Sequence, residues 1–391
     1  MFAEVKLEKI IINGITDWEA PGTEAFINPR LPSHDQEMMF DLLNHVPDLG
    51  SHILLMTSGS SVKNSLGHKW VAISKQSMLV SATAVNATIQ SDSSDIWINV
   101  LPVFHVGGLA IYARSHLSKA RVVDFTAEYG KWDCLKFYEF VLENSGTLTS
   151  LVPAQIHDIV AAGLRSPPGL RAVFVGGSFM NELLYRRAID LGWKLAVTYG
   201  MTECSSQVAT SHLCNDALEI LPHMEVSVSC DGRFRISSQS LFSGYIIQEN
   251  GKAKFIDPKT DGAFLSDDIG HVEGRRLFVK GRIGDFFKIG AESINLRRLE
   301  SILSEVMLRI RPAFDAAIIV MPDARLGHAI HMASTDETGA KEIIKAYNER
   351  VLPFEKIREH HFIPGPPGLP VLPRSPLGKI KMGELVEKLS R

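Results

Sequence analysis

Several short segments bring together residue types that could do chemistry. TSGSSVKNSLGHKWVAIS (57–74) opens with Thr57, Ser58, Gly59, Ser60 and Ser61 and carries Lys63 and Lys69 downstream. Hydroxyls and backbone N–H groups at that density suit a phosphate, with a lysine to neutralise charge. The GxxxxGK[ST] spacing of a Walker A loop is missing, and a solvated Ser/Gly loop has the same composition. LPVFHVGGLAIYARS (101–115) sets His105 and a Gly-Gly pair just past an apolar run, where a core histidine is the plainer reading. TYGMTECSSQVAT (198–210) gathers Tyr199, Gly200, Thr202 and Glu203. Glu203 could hold Mg²⁺, which favours carboxylate oxygen, phosphates and water, or could be a charge at a helix start. In the stretch from 264 to 300, Asp267 and Asp268 precede Arg282. A carboxylate can accept from two ribose hydroxyls and an arginine can bridge ribose and phosphate, although paired aspartates are also common in turns. PRSPLGKIKMGEL (373–385) presents Lys379 beside a glycine, where a solubilising lysine is the alternative.

These segments need elements to position them. HILLMTSGS, IWINVLPVFH (96–105), LRAVFVGGS (170–178) and KLAVTYGMTE (194–203) each read as a strand running into polar or glycine residues, the third ending at Gly177 and Ser178. Helical stretches such as 75–86 intervene. That alternation implies βαβ units and a largely parallel sheet, whose ligands lie beyond the carboxyl ends of the strands. Residues 224–280 read instead as short strands joined by DG and EG turns, as in a small antiparallel barrel or sheet. A helix near 296–309, a strand at 316–321 and a helix at 338–350 follow. The expected fold is α/β: a large N-terminal domain, 1–283, of mixed and parallel sheets with flanking helices and a small antiparallel barrel-like part, then a small mobile α+β domain, 284–391.

Length and composition narrow the function classes. A chain of 391 residues with 45% hydrophobic residues can fill two or three compact units. Lysine and arginine total 41 against 44 acidic residues, a net charge of −3, which gives no general reason to expect nucleic acid as a partner. No apolar run reaches the roughly 18 residues of a membrane-spanning helix, so no membrane insertion is expected. Cys134, Cys204, Cys214 and Cys230 form no CxxC pair, which suits a reducing cytoplasm. Oligomeric state is left open, a homodimer being compatible with the sequence.

The order of the segments resembles that of the acyl-adenylate-forming ligases, the superfamily of acyl-CoA synthetases, peptide-synthetase adenylation domains and luciferase. TSGSS…K is similar to its phosphate loop, YGMTE to its central motif and SDDIG to its TGD-type motif. GRIGDFFKIGAESI is similar to its hinge segment and PRSPLGKI to its terminal lysine motif. The resemblance covers residues 52–385. Within the superfamily, LPVFHVGGLAIYARS, GMTECSSQVATS, ILPHMEV and QSLFSGY look most like the 2-succinylbenzoate–CoA ligases of menaquinone biosynthesis. Only 56 residues precede the phosphate loop, so the N-terminal domain is expected to be shortened at its start.

The resemblance implies an AMP-forming acid–thiol ligase that uses ATP, Mg²⁺ and CoA. A carboxylic acid would be joined to AMP with release of pyrophosphate, then passed to the CoA thiol. Thr57, Ser58, Ser60, Ser61, Lys69 and Thr202 would hold phosphates, with Gly59 and Gly200 also binding ATP, and Glu203 would hold the metal. Gly177 and Ser178 would line the nucleotide, Tyr199 would stack on adenine, and Asp268 with Arg282 would take the ribose. Lys379 would bridge the reacting carboxylate and α-phosphate, and His105 would guard the acyl pocket. Succinylbenzoate carries a second, unreacted carboxylate, for which Arg114 and Gln207 are the candidate partners; a surface arginine on a helix is the plainer reading of Arg114. Gly284 would be the hinge, and Gly290–Ala291 would help form the pantetheine tunnel. Another acyl- or aryl-CoA ligase, a truncated homologue that binds an acyl-adenylate without turnover, and an adenylation domain feeding a carrier protein are the rival readings.

Overall fold

The computed structural model of the protein describes residues 9–11, 16–31, 33–44, 46, 49–58, 68–249, 252–290, 292–364, 372–375 and 380–389. Gly59, Ser60, Ser61, Lys63, Ala291 and Lys379 therefore lie outside the described residues.

The predicted alternation gives five parallel strands: Ile96–Asn99, Arg121–Asp124, Leu148–Leu151, Ala172–Val175 and Leu195–Met201. They read as nearly continuous apolar runs because helices cover both faces. Two of these helices, Lys75–Ile89 and Val106–Ser118, pack beside each other on one face. The strand expected over 96–105 stops at Asn99. The Asn99 side chain accepts the Leu101 N–H, which turns the chain, and Pro102 has no N–H to offer a ladder. His105 thereby becomes the N-cap of the helix Val106–Ser118.

Residues 225–282 form antiparallel strands, but these are shared between the two large sheets and do not stand apart. Glu225–Val228, Arg233–Ser237, Ala263–Glu273 and Arg276–Arg282 extend the parallel strands, through Glu219–Ile220 and Ser206–Thr210, into an eleven-stranded sheet. Gly244–Glu249 and Lys252–Ile256 join a six-stranded sheet with Lys9–Ile11, Thr23–Phe26, His52–Ser58 and His68–Ser74. Thr16–Ile27 is held to this part by Lys75, whose ammonium donates to Glu24 at 2.6 Å and to the Asp17 and Ala20 carbonyls.

After the short 3-10 turn Ile283–Asp285, a two-stranded ribbon, the helix Leu296–Ile310, a three-stranded sheet and the helix Glu337–Asn348 enclose their own apolar core, centred on Leu299, Ile318, Ile330 and Ile343. This part rests on the helix Glu182–Asp190. Asn181 Nδ2 donates to Ser304 Oγ at 3.0 Å, Arg187 Nη1 donates to the Leu308 carbonyl at 2.8 Å, and Leu308 is buried beside Leu184 and Tyr185. No helix among the described residues is long and apolar enough to cross a membrane.

Candidate active site

Three groups of side chains gather along the strand Leu195–Met201 and its return strand Ser206–Thr210. In the first, strands His52–Ser58 and His68–Ser74 form an antiparallel pair in which Thr57 lies opposite Lys69. Thr57 and Lys69 thus face each other one pair before the last described pair of this ladder, Ser58 and His68. Tyr245 pairs with Val71 on the neighbouring strand, which brings its ring beneath Lys69, 3.8 Å from Nζ to the ring centre. The Tyr245 hydroxyl donates to Glu203 Oε1 at 2.8 Å, and Lys69 Nζ lies 3.7 Å from the same oxygen. Burial, then the Glu203 charge, pushes the Tyr245 hydroxyl far above its ordinary pKa, so it remains a donor. Thr57 Oγ1 is buried and has no hydrogen-bond partner among the described residues. A carboxylate, an ammonium and an unsatisfied hydroxyl form a donor set that fits a triphosphate with its magnesium. Ser58 is the last residue of its strand.

Glu203 is delivered by a tight turn. The strand Leu195–Met201 enters the 3-10 turn Thr202–Cys204, then Ser205 and Ser206 both take positive φ, 54° and 109°, before the strand Ser206–Thr210 returns. A Cβ at Gly200 would lie 1.7 Å from the Ser206 carbonyl oxygen, so the return path requires glycine there. Two non-glycine residues in left-handed conformations cost energy, and such strain gathers at functional sites.

The second group is Tyr199, Asp268 and Arg282. Asp268 and Arg282 are cross-strand neighbours; Arg282 Nε donates to Asp268 Oδ1 at 2.7 Å, and the Tyr199 hydroxyl donates to Oδ2 at 2.8 Å. Asp268 is buried whereas Asp267, one residue earlier on the same strand, is exposed. Strand alternation therefore selects Asp268 from the DD pair. Burial, with the Asp268 charge, raises the Tyr199 pKa well above its ordinary value. Each Asp268 oxygen keeps a lone pair for a further donor such as a sugar hydroxyl. Gly177, with φ +82°, and the exposed Ser178 follow the strand Ala172–Val175, the parallel neighbour of the strand that carries Tyr199.

The third group surrounds Arg114, which is buried at 2% exposure instead of lying on a surface. Its guanidinium lies 5.6 Å from the Trp97 ring centre and 5.4 Å from that of Phe174, two rings that stack 6.0 Å apart. Nη2 reaches Ser206 Oγ only at 3.4 Å, Nε is buried without a partner, and among the described residues no carboxylate pairs with it. Burial pulls its pKa down to about 9, which leaves it charged at neutral pH. Two aromatic faces offset part of the desolvation, by ~2 kcal/mol each. Removing an unpaired ion from water costs several kcal/mol, so the site is poised for an anion. Ser150 Oγ, on the strand next to Phe174 and directly opposite it, is a second buried polar atom without a partner. Gln207 is also buried, opposite Gly200, and its Oε1 accepts from Thr210 at 2.6 Å.

Residues 54–235 match the family described as AMP-binding enzyme. That segment is similar to the AMP-binding enzymes. It holds Thr57, Lys69, His105, Arg114, Gly177, Tyr199 and Glu203, while Asp268 and Arg282 come from beyond it. Over 354 residues the chain is 25% identical to the 2-succinylbenzoate–CoA ligase of Lactococcus lactis subsp. lactis, covering 87% of this chain and 71% of that protein. The fold is that of o-succinylbenzoate CoA synthetase (MenE) from Bacillus subtilis. Its complex with the acyl-adenylate intermediate OSB-AMP superposes with a TM-score of 0.73 at 18% identity, over 93% of this chain and 82% of that one. Its complex with ATP and magnesium ion gives 0.72 at 17% identity, over 93% and 84%.

The matched segment brings Thr57, Lys69 and Glu203 together, and Tyr199 meets Asp268, which also pairs with Arg282. Gly284 sits exposed in the 3-10 turn Ile283–Asp285, and Gly290, at φ +61°, donates its N–H to the Leu326 carbonyl at 2.7 Å. Tyr245, Trp97, Phe174 and Ser206 were not foreseen as site residues. Tyr245 and Ser206 lie within the strings QSLFSGY and GMTECSSQVATS, but a pleated strand gives no sign in its sequence of which distant group it will face.

Proposed function

We propose that this chain is an ATP-dependent, AMP-forming acid–CoA ligase whose substrate is an aromatic diacid, 2-succinylbenzoate, and that it serves menaquinone biosynthesis. The observation that carries the acid assignment is Arg114: a buried, aromatic-flanked cation lacking an anion, one hydrogen bond from the strand that follows Glu203. A substrate carrying a benzene ring and a spare carboxylate meets both needs of that pocket. The name and bound adenylate of the relatives support the same acid.

Two half-reactions follow. One carboxylate of the acid attacks the α-phosphorus, forming a carbonyl-O–P bond as the bond to the β-phosphate oxygen breaks and pyrophosphate leaves. The CoA sulfur then attacks the activated carbonyl, and AMP departs with the oxygen. Both first-step reactants are anions, so the barrier falls only where positive charge is already in place. Lys69 and Thr57, with Ser58, Ser60 and Ser61, hold the phosphates, and Glu203 holds Mg²⁺, which supplies charge neutralisation to the triphosphate. Asp268 and Arg282 orient the ribose, with Tyr199 against adenine, and Arg114 fixes the spare carboxylate while His105 borders the acyl pocket. Lys379 is the residue proposed to meet the reacting carboxylate and α-phosphate. The separate core after residue 283 supports a second domain, 284–391, that turns about Gly284 between the two steps.

The test is pyrophosphate release with ATP and a panel of acids, followed by thioester formation on adding CoA. Succinylbenzoate should exceed benzoate and medium-chain fatty acids. Equal rates with a mono-acid would overturn the diacid assignment, and no pyrophosphate with any acid would leave a binding homologue without turnover.

A further inference from the structure

The outer part of the chain carries a cluster that the ligase reading does not use. The strands Ala316–Asp323, Gly327–Ser334 and Ile357–Phe362 form a three-stranded sheet. His331 and Glu359 are direct partners across its parallel pair, and His361 follows Glu359 by two residues, so all three project from one face. His331 Nδ1 lies 2.9 Å from His361 Nε2 and 3.7 Å from Glu359 Oε2. One ligand atom from each falls within 4.8 Å of the other two. His360, the residue between them, takes Ser334 Oγ at 2.7 Å instead.

We propose that His331, Glu359 and His361 form a binding site for a zinc-type divalent cation. Zn²⁺ sits about 2.0–2.2 Å from imidazole nitrogen and carboxylate oxygen, so ligands at tetrahedral corners lie roughly 3.3 Å apart. The observed 2.9 and 3.7 Å bracket that spacing. Two imidazole nitrogens held face to face can share only one proton, whereas a cation satisfies both lone pairs at once. Two imidazoles with one carboxylate select zinc, nickel or copper over magnesium and calcium, which prefer all-oxygen cages. Three protein ligands leave one position for water. His361 borders a cleft lined also by Phe362, Lys388 and Leu389, on which that position can open. A bound ion would tie the two parallel strands together through side chains.

The experiment uses the full chain with any affinity tag removed, stripped with EDTA and titrated with Zn²⁺ against a chromophoric chelator. The expected result is one zinc per chain, not displaced by millimolar Mg²⁺. Glu359→Gln, at an exposed position that tolerates change, should weaken binding by more than the about tenfold typical of losing an outer-shell partner. His331→Asn and His361→Asn should abolish it, with circular dichroism confirming the fold. His212→Ala removes a more exposed histidine that likewise lies near a glutamate, at 3.3 Å, and should change nothing. A wild-type chain that holds no zinc, or variants that hold as much as the wild type, would overturn the proposal.

Discussion

The corner around Glu203 and the pocket around Arg114 both adjoin the tight turn between Met201 and Ser206, and they manage charge in opposite ways. Glu203 is already answered inside the protein, by the Tyr245 hydroxyl and by Lys69. Arg114 is answered by two aromatic faces and one long contact to Ser206. A self-compensated corner stays stable without ligand, and an incoming cation must compete with an ammonium for the same carboxylate. An uncompensated buried cation destabilises the empty protein, and that debt is relieved when an anion arrives. Metal-dependent chemistry and acid selection are thus built on different energetic footings within a few residues of each other.

The contrast can be broken by substitution. Glu203→Gln keeps the shape of the corner and removes its charge. Pyrophosphate release should fall by ~10²–10³ with every acid tested, a loss of preorganised electrostatics that higher magnesium restores only in part. Equal magnesium dependence in variant and parent would detach Glu203 from the metal. Arg114→Met should instead raise KM for the diacid by about 2 kcal/mol, roughly thirtyfold, with KM for ATP little changed. The same variant should unfold at a higher temperature than the parent when both are unliganded, since replacing a buried ion by an apolar side chain commonly stabilises by about 1–4 kcal/mol. A lower melting temperature would mean that the guanidinium is compensated after all.

Smaller effects sharpen the comparison. Tyr245→Phe removes one donor to Glu203 and leaves the ring under Lys69, so activity should drop by ~1 kcal/mol, about fivefold, measured at saturating acid. Ser206→Ala deletes only the 3.4 Å contact to Arg114, and KM for the diacid should rise less than about threefold. A larger loss would show that Ser206 acts on the turn that carries Glu203 as well as on the acid pocket.

Much of this was legible in the sequence, for identifiable reasons. Parallel strands covered on both faces are continuous apolar runs, so the strands near 96, 172 and 195 announce themselves. Asp268, Tyr199, Glu203 and Lys69 are recognisable because their motifs are local, each a few residues long at the end of a strand. Arg114 was harder. Its burial depends on Trp97 and Phe174, which reach it from two strands roughly 20 and 60 residues away, and a helical arginine looks the same in sequence whether it faces water or two rings. The run ending at His105 misled about strand length because the Asn99 side chain, not the backbone pattern, turns the chain. The strands after residue 224 were expected to form a small antiparallel barrel or sheet; they do pair antiparallel, but within the two large sheets, because pairing partners for such short segments are chosen by the sheets already present.

The placement of Thr57 opposite Lys69 has a consequence for how such a protein can change. Register in an antiparallel pair is fixed by the ladder below a turn, seven paired positions here from His52–Ser74 to Ser58–His68. Residues can be added to or removed from the connection between the two strands while Thr57 and Lys69 stay opposed, because lengthening a connection costs little free energy. The length of that connection is thereby uncoupled from the pair that must keep its spacing. Chains that differ in the length and lettering of this connection can do so without relocating its threonine or its lysine.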